Sequence, residues 1–567
     1  MLVKGRLKKG EYYDSIALMI VGRELSKAPG VADAAVVMGT KENLALLRSS
    51  GLMLGEFEKA SEADLLVAVK AENADAADLA LQEAEQRLKG SRGGKGGGED
   101  AERPSGLEDA LKVLPGANLA LISVAGRYAG DEAMKALRAG LHVMLFSDNV
   151  PLETEVALKE YARGKGLLVM GPDCGTAIIN GVPLAFANVV RRGDIGLVAA
   201  AGTGLQEVSS TLSNLGAGVS QALGTGGRDV KKEVGGLMLL EGFKALAADE
   251  STRVIVLVSK PPHEDVLRRL AAAVRGVKKP VVAVFLGAEA KLVEGAGMVH
   301  AATLEEAAFM AAALARGSRP ESVRGTLAER DKDVAVTASA EAARILNASK
   351  SARAPSAERR APRFVRGLFS GGTFCTEAQV VFRTHGLSVF SNVPLAPNPA
   401  VQDLWKSREH CLLDLGDDAF TVGRPHPMID FGLRCKRILQ EARDPETAVI
   451  LLDVVLGWGS NLDPAGELVP VLREARKTAE DARRRLLVVC SVTGTEGDPQ
   501  IRSKVEKRLK EAGALVLPTN AAACRLAAGV AAALAPTPAP SAPLAPGHSG
   551  ASAARKENDP RADRRKP

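Results

Sequence analysis

Aromatic residues are almost missing from this chain: 3% of the sequence, with two Trp and four Tyr, against 46% hydrophobic residues overall. A core must therefore be built from Ala, Val, Leu and Gly, a diet that suits buried parallel strands packed by helices. Cysteine is scarce too. Cys174, Cys375, Cys411, Cys435, Cys490 and Cys524 show neither C-x-x-C spacing nor paired density, which argues against a disulfide or zinc framework and for a reducing cytoplasm. The seven histidines form no H-x-x-H or H-E-x-x-H pair, so no metal is expected. No run approaches the roughly 18 apolar residues of a membrane span. The opening MLVKGRLKKG has no apolar segment of the kind a secretion signal needs. The expectation is a cytoplasmic chain with no membrane contact.

A basic face is lacking as well. The net charge is +6, but it is concentrated outside the folded segments. One source is Lys350, Arg353, Arg359, Arg360 and Arg363 in an Ala/Pro/Arg stretch; the other is the Arg/Lys-containing tail after Pro536. The rest of the chain is close to neutral, so no nucleic-acid partner is expected. Dinucleotide and nucleotide signatures are also missing. There is no G-x-G-x-x-G and no Walker A, and GKGGGED lies in a linker with no strand before it.

What is present is a long alternation of short apolar strands with amphipathic helices, the mark of an α/β chain. The Gly-rich segment at 91–103, the stretch at 346–363 and the Pro/Ala/Ser-rich tail 536–567 divide it, and the tail is expected to be disordered. Residues 1–190 read as one Rossmann-like unit interrupted by the Gly-rich segment. Beyond it lies an internal echo. IGLVAAAGTGLQEVSSTLSNLGAGVSQALGTGGRD and RGLFSGGTFCTEAQVVFRTHGLSVFSNVP, the latter followed by LLDLGDDAFTVGRPHP, run the same course. Both then pass through two buried strands to an Ala-rich helix. This predicts two copies of one α/β domain, at 191–345 and 364–535.

Each copy carries a glycine turn between its first strand and first helix: Ala201-Gly202-Thr203-Gly204 and Ser370-Gly371-Gly372-Thr373. Such turns bring free N–H groups and the positive end of a helix toward an anion. Helix capping alone explains one such turn; two at equivalent places favour a phosphate held by Gly202, Thr203, Gly204, Ser370, Gly371, Gly372 and Thr373. The loop LDLGDDAFTVGRPHPMID in copy two supplies Arg424 for a carboxylate or phosphate and His426 to move a proton or donate to an anion. Asp417 and Asp418 brace Arg424 or take part in Mg²⁺ chemistry, and Arg228 and Asp229 fill the matching loop of copy one. A solvated turn remains the alternative for the loop. His263-Glu264-Asp265 reads as an ordinary helix start.

GPDCGTAIINGVPLAFANVVRRGDIGLVAAAGTGLQE resembles the α subunit of succinyl-CoA synthetase, and LLDLGDDAFTVGRPHPMID, LLDVVLGWG and VTGTEGDPQ resemble the FdrA proteins over nearly all of residues 1–535. The resemblance implies a Rossmann-like CoA-binding-type domain followed by two flavodoxin-like ligase domains. It also implies helix N-termini brought together around one phosphate. Departures accompany it: where the synthetase has its phosphorylatable histidine, FLGAEAKLVEGAGMVHAAT offers only His300, and no ATP-grasp domain is present. The resemblance further implies an acyl phosphate and a carboxylate as substrates, partner subunits in a hetero-oligomer, and a place in an oxamate carbamoyltransferase of allantoin catabolism. CoA, or a nucleotide with Mg²⁺, is a candidate ligand, with no cofactor fixed. A CoA ligase dependent on a nucleotide-binding partner and a non-catalytic scaffold are the alternatives.

Overall fold

The computed structural model describes residues 1–11, 13, 18, 21–22, 24–26, 28–40, 43–44, 47–48, 50–92, 104, 106–350, 361–421 and 425–535. Its strands form four sheets. The first holds β1 (Leu2–Lys8), β2 (Val31–Met38) and β3 (Leu65–Ala71) in the order β1-β3-β2, and both pairings are antiparallel. Helix α1 (Ala74–Arg92) covers one face through Ala77, Ala80, Leu81, Ala84 and Leu88, while Leu47, Leu52 and Phe57 cover the other.

This corrects the expectation of one parallel unit over 1–190. β3 is buried on both faces, and a doubly covered strand reads as a continuous apolar run whatever its direction. The parallel, Rossmann-like sheet is separate: β4 (Leu119–Ile122), β5 (His142–Leu145) and β6 (Val169–Met170), crossed by α2 (Gly126–Arg138) and α3 (Leu152–Lys165).

The stretch after β6 turns back as a hairpin, β7 (Thr176–Ile179) and β8 (Val182–Ala185), and joins the next sheet antiparallel to its neighbour. That sheet contains β9 (Arg192–Ala199), β10 (Val219–Gly224), β11 (Val254–Ser259), β12 (Val281–Phe285) and β13 (Val299–His300) in the order β13-β12-β11-β9-β10-β7-β8. By hydrogen bonding, the hairpin belongs to copy one, so the change of sheet falls before residue 190. The helices of copy one include α4 (Gly202–Asn214), α5 (Leu237–Ala248) and α6 (Leu304–Ala315), besides those at Glu264–Arg275 and Ala290–Gly295, and α7 (Pro320–Lys350) leads out past residue 345.

Copy two is a parallel sheet of β14 (Phe364–Phe369), β15 (Phe390–Ser391), β16 (Cys411–Asp414), β17 (Thr447–Val455), β18 (Leu487–Thr493) and β19 (Leu515–Leu517), ordered β15-β16-β14-β17-β18-β19. It carries α8 (Gly372–Thr384), α9 (Gly432–Arg443) and α10 (Asn520–Leu534). The Gly-rich segment from 93 to 103, the stretch 351–360 and the tail from 536 lie outside the described residues.

The two copies share one core. A continuous apolar cluster runs from Leu197 and Val256 through Leu304, Met310, Phe374 and Phe382 to Val449 and Val489. Helices α4 and α8 meet across it. Two buried glutamates at equivalent places, each the sixth residue of its helix, cross that core in opposite directions. Glu377 accepts the Leu304 N–H (2.7 Å) at the start of α6, and Glu207 accepts the Asn520 N–H (2.9 Å) at the start of α10. Asn520 Nδ2 also donates to Glu377 (2.7 Å) and Thr493 Oγ1 to Glu207 (2.6 Å). Each copy thus caps a helix of the other, where a carboxylate answers both the unpaired amides and the positive helix end.

Candidate functional site

The two glycine turns do meet. A side chain at Gly371 would fall 2.7 Å from Thr203 Cγ2, and one at Gly204 would fall 2.9 Å from Thr373 Cγ2. Each threonine is therefore seated over a glycine of the opposite turn, and these glycines are required by close approach of the chains. Gly202 is exposed and Gly372 half-buried at the rim of this contact. First-turn amides of a helix have no intrahelical acceptor, so the rim, rather than the interlocked centre, is where an anion finds donors. Of the residues expected to bind phosphate, Gly204, Thr203, Gly371 and Thr373 are engaged in packing. Ser370 is held elsewhere: its N–H donates to Asp453 Oδ1 (2.9 Å) and its hydroxyl to Asp453 Oδ2, while Arg434 Nη2 pairs with Asp453 (2.6 Å).

Two groups border the α8 start that the loop composition did not single out. Asp414 ends β16, 6% exposed; its Oδ1 accepts from Gly416 N (2.9 Å) and its Oδ2 lies 2.8 Å from where a Gly372 side chain would begin. Burial raises its pKa to about 7, with Asp417 and Asp453 adding to the rise and the Gly416 N–H and Lys260 opposing it. Lys260 follows β11, so copy one contributes a cation to a carboxylate of copy two. The cue in the sequence was the repeat itself, which aligns Asp414 with Gly224.

His426 is brought to the same place. A side chain at Gly416 would fall 2.8 Å from His426 Nε2, 2.8 Å from Ser370 O and 3.2 Å from Asp414 Oδ1, so a residue without a side chain is needed there. The Met428 N–H donates to His426 Nδ1 (3.2 Å), which leaves the proton of the neutral ring on Nε2. Burial pushes the ring down to about 4, against the pull of Asp453. At neutral pH the ring is thus an uncharged donor, with its other face toward Phe186 at 6.1 Å between ring centres.

The remaining expected residues fall differently. Arg424 lies outside the described residues. Asp417 turns inward on its own loop and accepts the Ala419 N–H (3.1 Å). Asp418 is exposed, its carboxyl raised by partial burial and by Asp148 and Asp417. Arg228 and Asp229 are not part of the site. Asp229 is wholly buried, pairs with Lys159 (2.9 Å) and accepts the Leu239 N–H (2.8 Å) at the start of α5. Arg228 pairs with Glu155 (2.8 Å) and donates to Val150 O (2.8 Å), tying copy one to the Rossmann-like sheet. A Gly/polar loop looks alike whether it awaits a ligand or another domain, which is why the sequence put this one in the site. His300 stands on the edge strand β13, where its carbonyl accepts from Arg324 (3.2 Å). His263 is a helix start, with Nδ1 accepting the Asp265 N–H (3.3 Å).

Among the described residues no cluster of His, Cys, Asp or Glu is placed to hold a metal, and no helix is long and apolar enough to cross a membrane. For CoA, the turn between β4 and α2 would be the cradle. Its Gly126 is packed onto backbone instead: a side chain there would fall 2.1 Å from Asp148 O.

A CoA-ligase family profile matches residues 368–530, and residues 1–104 match a profile described as AllF, heavy metal-associated domain. That stretch contains neither Cys nor His, so it offers a heavy metal no thiolate and no imidazole. The chain is 28% identical over 220 residues to subunit alpha 2 of the ADP-forming succinate–CoA ligase of Archaeoglobus fulgidus, across 38% of this chain and 74% of that one. Among solved structures, the apo form of the dinucleotide-forming acetyl-coenzyme A synthetase 1 of Ca. Korarchaeum cryptofilum aligns at 14% identity. The alignment covers 73% of this chain and 83% of that one, with a TM-score of 0.29. To YahF of Escherichia coli K12 the identity is 40% over 517 residues, 91% of this chain and 96% of that one. With nearly the whole of YahF spanned at that identity, the chain belongs to the same family, the FdrA-type proteins of the succinyl-CoA synthetase α-subunit superfamily.

Proposed function

We propose that this chain handles an acyl phosphate as a subunit of an oxamate carbamoyltransferase in allantoin catabolism. The observation that carries the reading is the meeting of two helix starts beside an uncharged His426 Nε2–H. Carbamoyl phosphate needs dipolar stabilisation of a leaving phosphate and no phosphohistidine. The one histidine in the corresponding segment, His300, sits on an edge strand with no place at the helix starts. In this reading the rim amides of Gly202 and Gly372 hold the phosphate and His426 Nε2 donates to the oxygen on which charge develops. Arg424 binds the oxamate carboxylate. The likeness of residues 1–104 to an AllF-type domain points the same way.

A second reading is favoured by the CoA-ligase profile over 368–530: a ligase subunit that forms a thioester with a nucleotide-binding partner. Phosphate release from carbamoyl phosphate, measured with co-purified partners and with oxamate or CoA added, separates the two. Oxamate-dependent release, reduced at least tenfold by His426→Gln, is the expected result. CoA-dependent thioester formation without any oxamate effect would replace the first reading by the second.

A further inference from the structure

The α8 start holds a feature that neither capping nor packing accounts for. Asp414 is buried, its Oδ1 is satisfied by Gly416, and its Oδ2 has no hydrogen-bond partner among the described residues. That oxygen points at Gly372, the first residue of a 13-residue helix. An oxyanion seated on the rim amides must share this space with it. Two negative charges at such range disfavour each other unless one is neutralised.

The groups that face Asp414 do little to relieve this. Asp417 and Asp453 are themselves acidic, and Arg434 is already paired with Asp453. Cys375, from α8, is a buried thiol whose pKa burial lifts well above the ordinary thiol value, so it stays protonated. His426 is uncharged at neutral pH. Lys260 is the one of these that bears an unspent positive charge, and it is exposed.

We propose that the copy-two helix start binds a phosphate-class oxyanion only with Asp414 protonated, so that each anion arrives with one proton and the carboxyl donates to an anion oxygen. This rests on the reading of the site as an acyl-phosphate seat and adds its proton requirement. Burial has already brought the carboxyl to the point where neutral pH supplies the proton.

Sulfate is a suitable probe because it does not itself titrate near neutrality. Calorimetric titration of the full chain with sulfate at pH 8, in two buffers of different ionisation enthalpy, should show about one proton taken up per sulfate bound. Affinity should fall about tenfold per pH unit above 7. Asp414→Asn, which keeps the shape and removes the charge, should bind sulfate with no proton uptake and no pH dependence. His426→Gln should retain the uptake. Binding without proton exchange, uptake that survives Asp414→Asn or disappears in His426→Gln, or no sulfate binding at millimolar concentration would each overturn the proposal. A chain that takes up sulfate with its proton yet releases no phosphate from carbamoyl phosphate would keep the proposal and remove the carbamoyl-transfer reading.

Discussion

The two copies share a course of chain and differ where chemistry is expected. Strand register makes the comparison residue by residue. Gly224 pairs with Ala199 in copy one as Asp414 pairs with Phe369 in copy two. Ala200 stands where copy two has Ser370, and Val258, opposite Ala199, stands where copy two has Asp453. Copy one is therefore apolar at these three positions, whereas copy two carries the buried Ser370–Asp453–Arg434 network and the Asp414 carboxyl. The reason lies upstream. Hairpin β7–β8 crosses the strand end of copy one so closely that a side chain at Gly224 would fall 2.5 Å from Thr176 O. Among the described residues no hairpin crosses the strand end of copy two; its sheet is extended by its own β15, and the Asn392 side chain bonds both the N–H and the carbonyl of Asp414. Duplication supplied the paired helix starts, and the polar side chains beside them come from copy two.

The largest effect is expected from erasing the polar core of copy two. Asp453→Ala leaves Arg434 charged, buried and unpaired, and should cost about 3–5 kcal/mol in urea unfolding. Asp453→Val with Arg434→Met, which moves copy two toward the apolar character of copy one, should recover most of that loss. A single variant within about 1 kcal/mol of wild type would show that the network holds nothing together.

Next comes the meeting of the turns. Gly371→Ala should lose about 1–3 kcal/mol by overpacking against Thr203, and adding Thr203→Ala should restore part of it. If the second change does not help, the turns are not in contact in solution.

The smallest effect concerns the reciprocal caps. Glu377→Gln should cost about 1 kcal/mol, the scale of one rearranged hydrogen bond in a buried cap. Burial is the first cause of the rise of Glu377 to about 7, with Glu207 adding to it and Asn520 and the Leu304 N–H opposing it. Its folded pKa lies above the unfolded carboxylate value, so its contribution is fully present below about 4.5 and is lost as pH rises through about 7. Thermal melts of wild type between pH 5 and 8 should show that decline, and Glu377→Gln should flatten it.

Much of the scaffold was legible. The echo of AAGTG in SGGT, each between an apolar run and an amphipathic one, places α4 and α8 correctly. VTGTEGDPQ and LLDVVLGWG also acquire a physical role: Thr495 Oγ1 donates to Val189 O (2.6 Å), Asp498 accepts from Val189 N (2.7 Å) and Asn188 (2.9 Å), and Gly457 gives room to Ala187 O. These stretches seat the chain that enters copy one. Arg228 and Asp229 misled because a buried ion cluster and a ligand loop draw on the same residue types. Asp414 was overlooked because one carboxylate at a strand end has no pattern of its own.

By itself the sequence determined the alternation of strands and helices, the duplication and the two glycine turns. All of these are local, set by hydrophobic period and by where a backbone must pass without a side chain. Tertiary structure alone decided that β1 to β3 run antiparallel in a sheet of their own, that Glu207 and Glu377 cap helices of the opposite copy, and that Asp414 faces the α8 start. Each depends on groups distant along the chain arriving within bonding range, and burial then sets their charge.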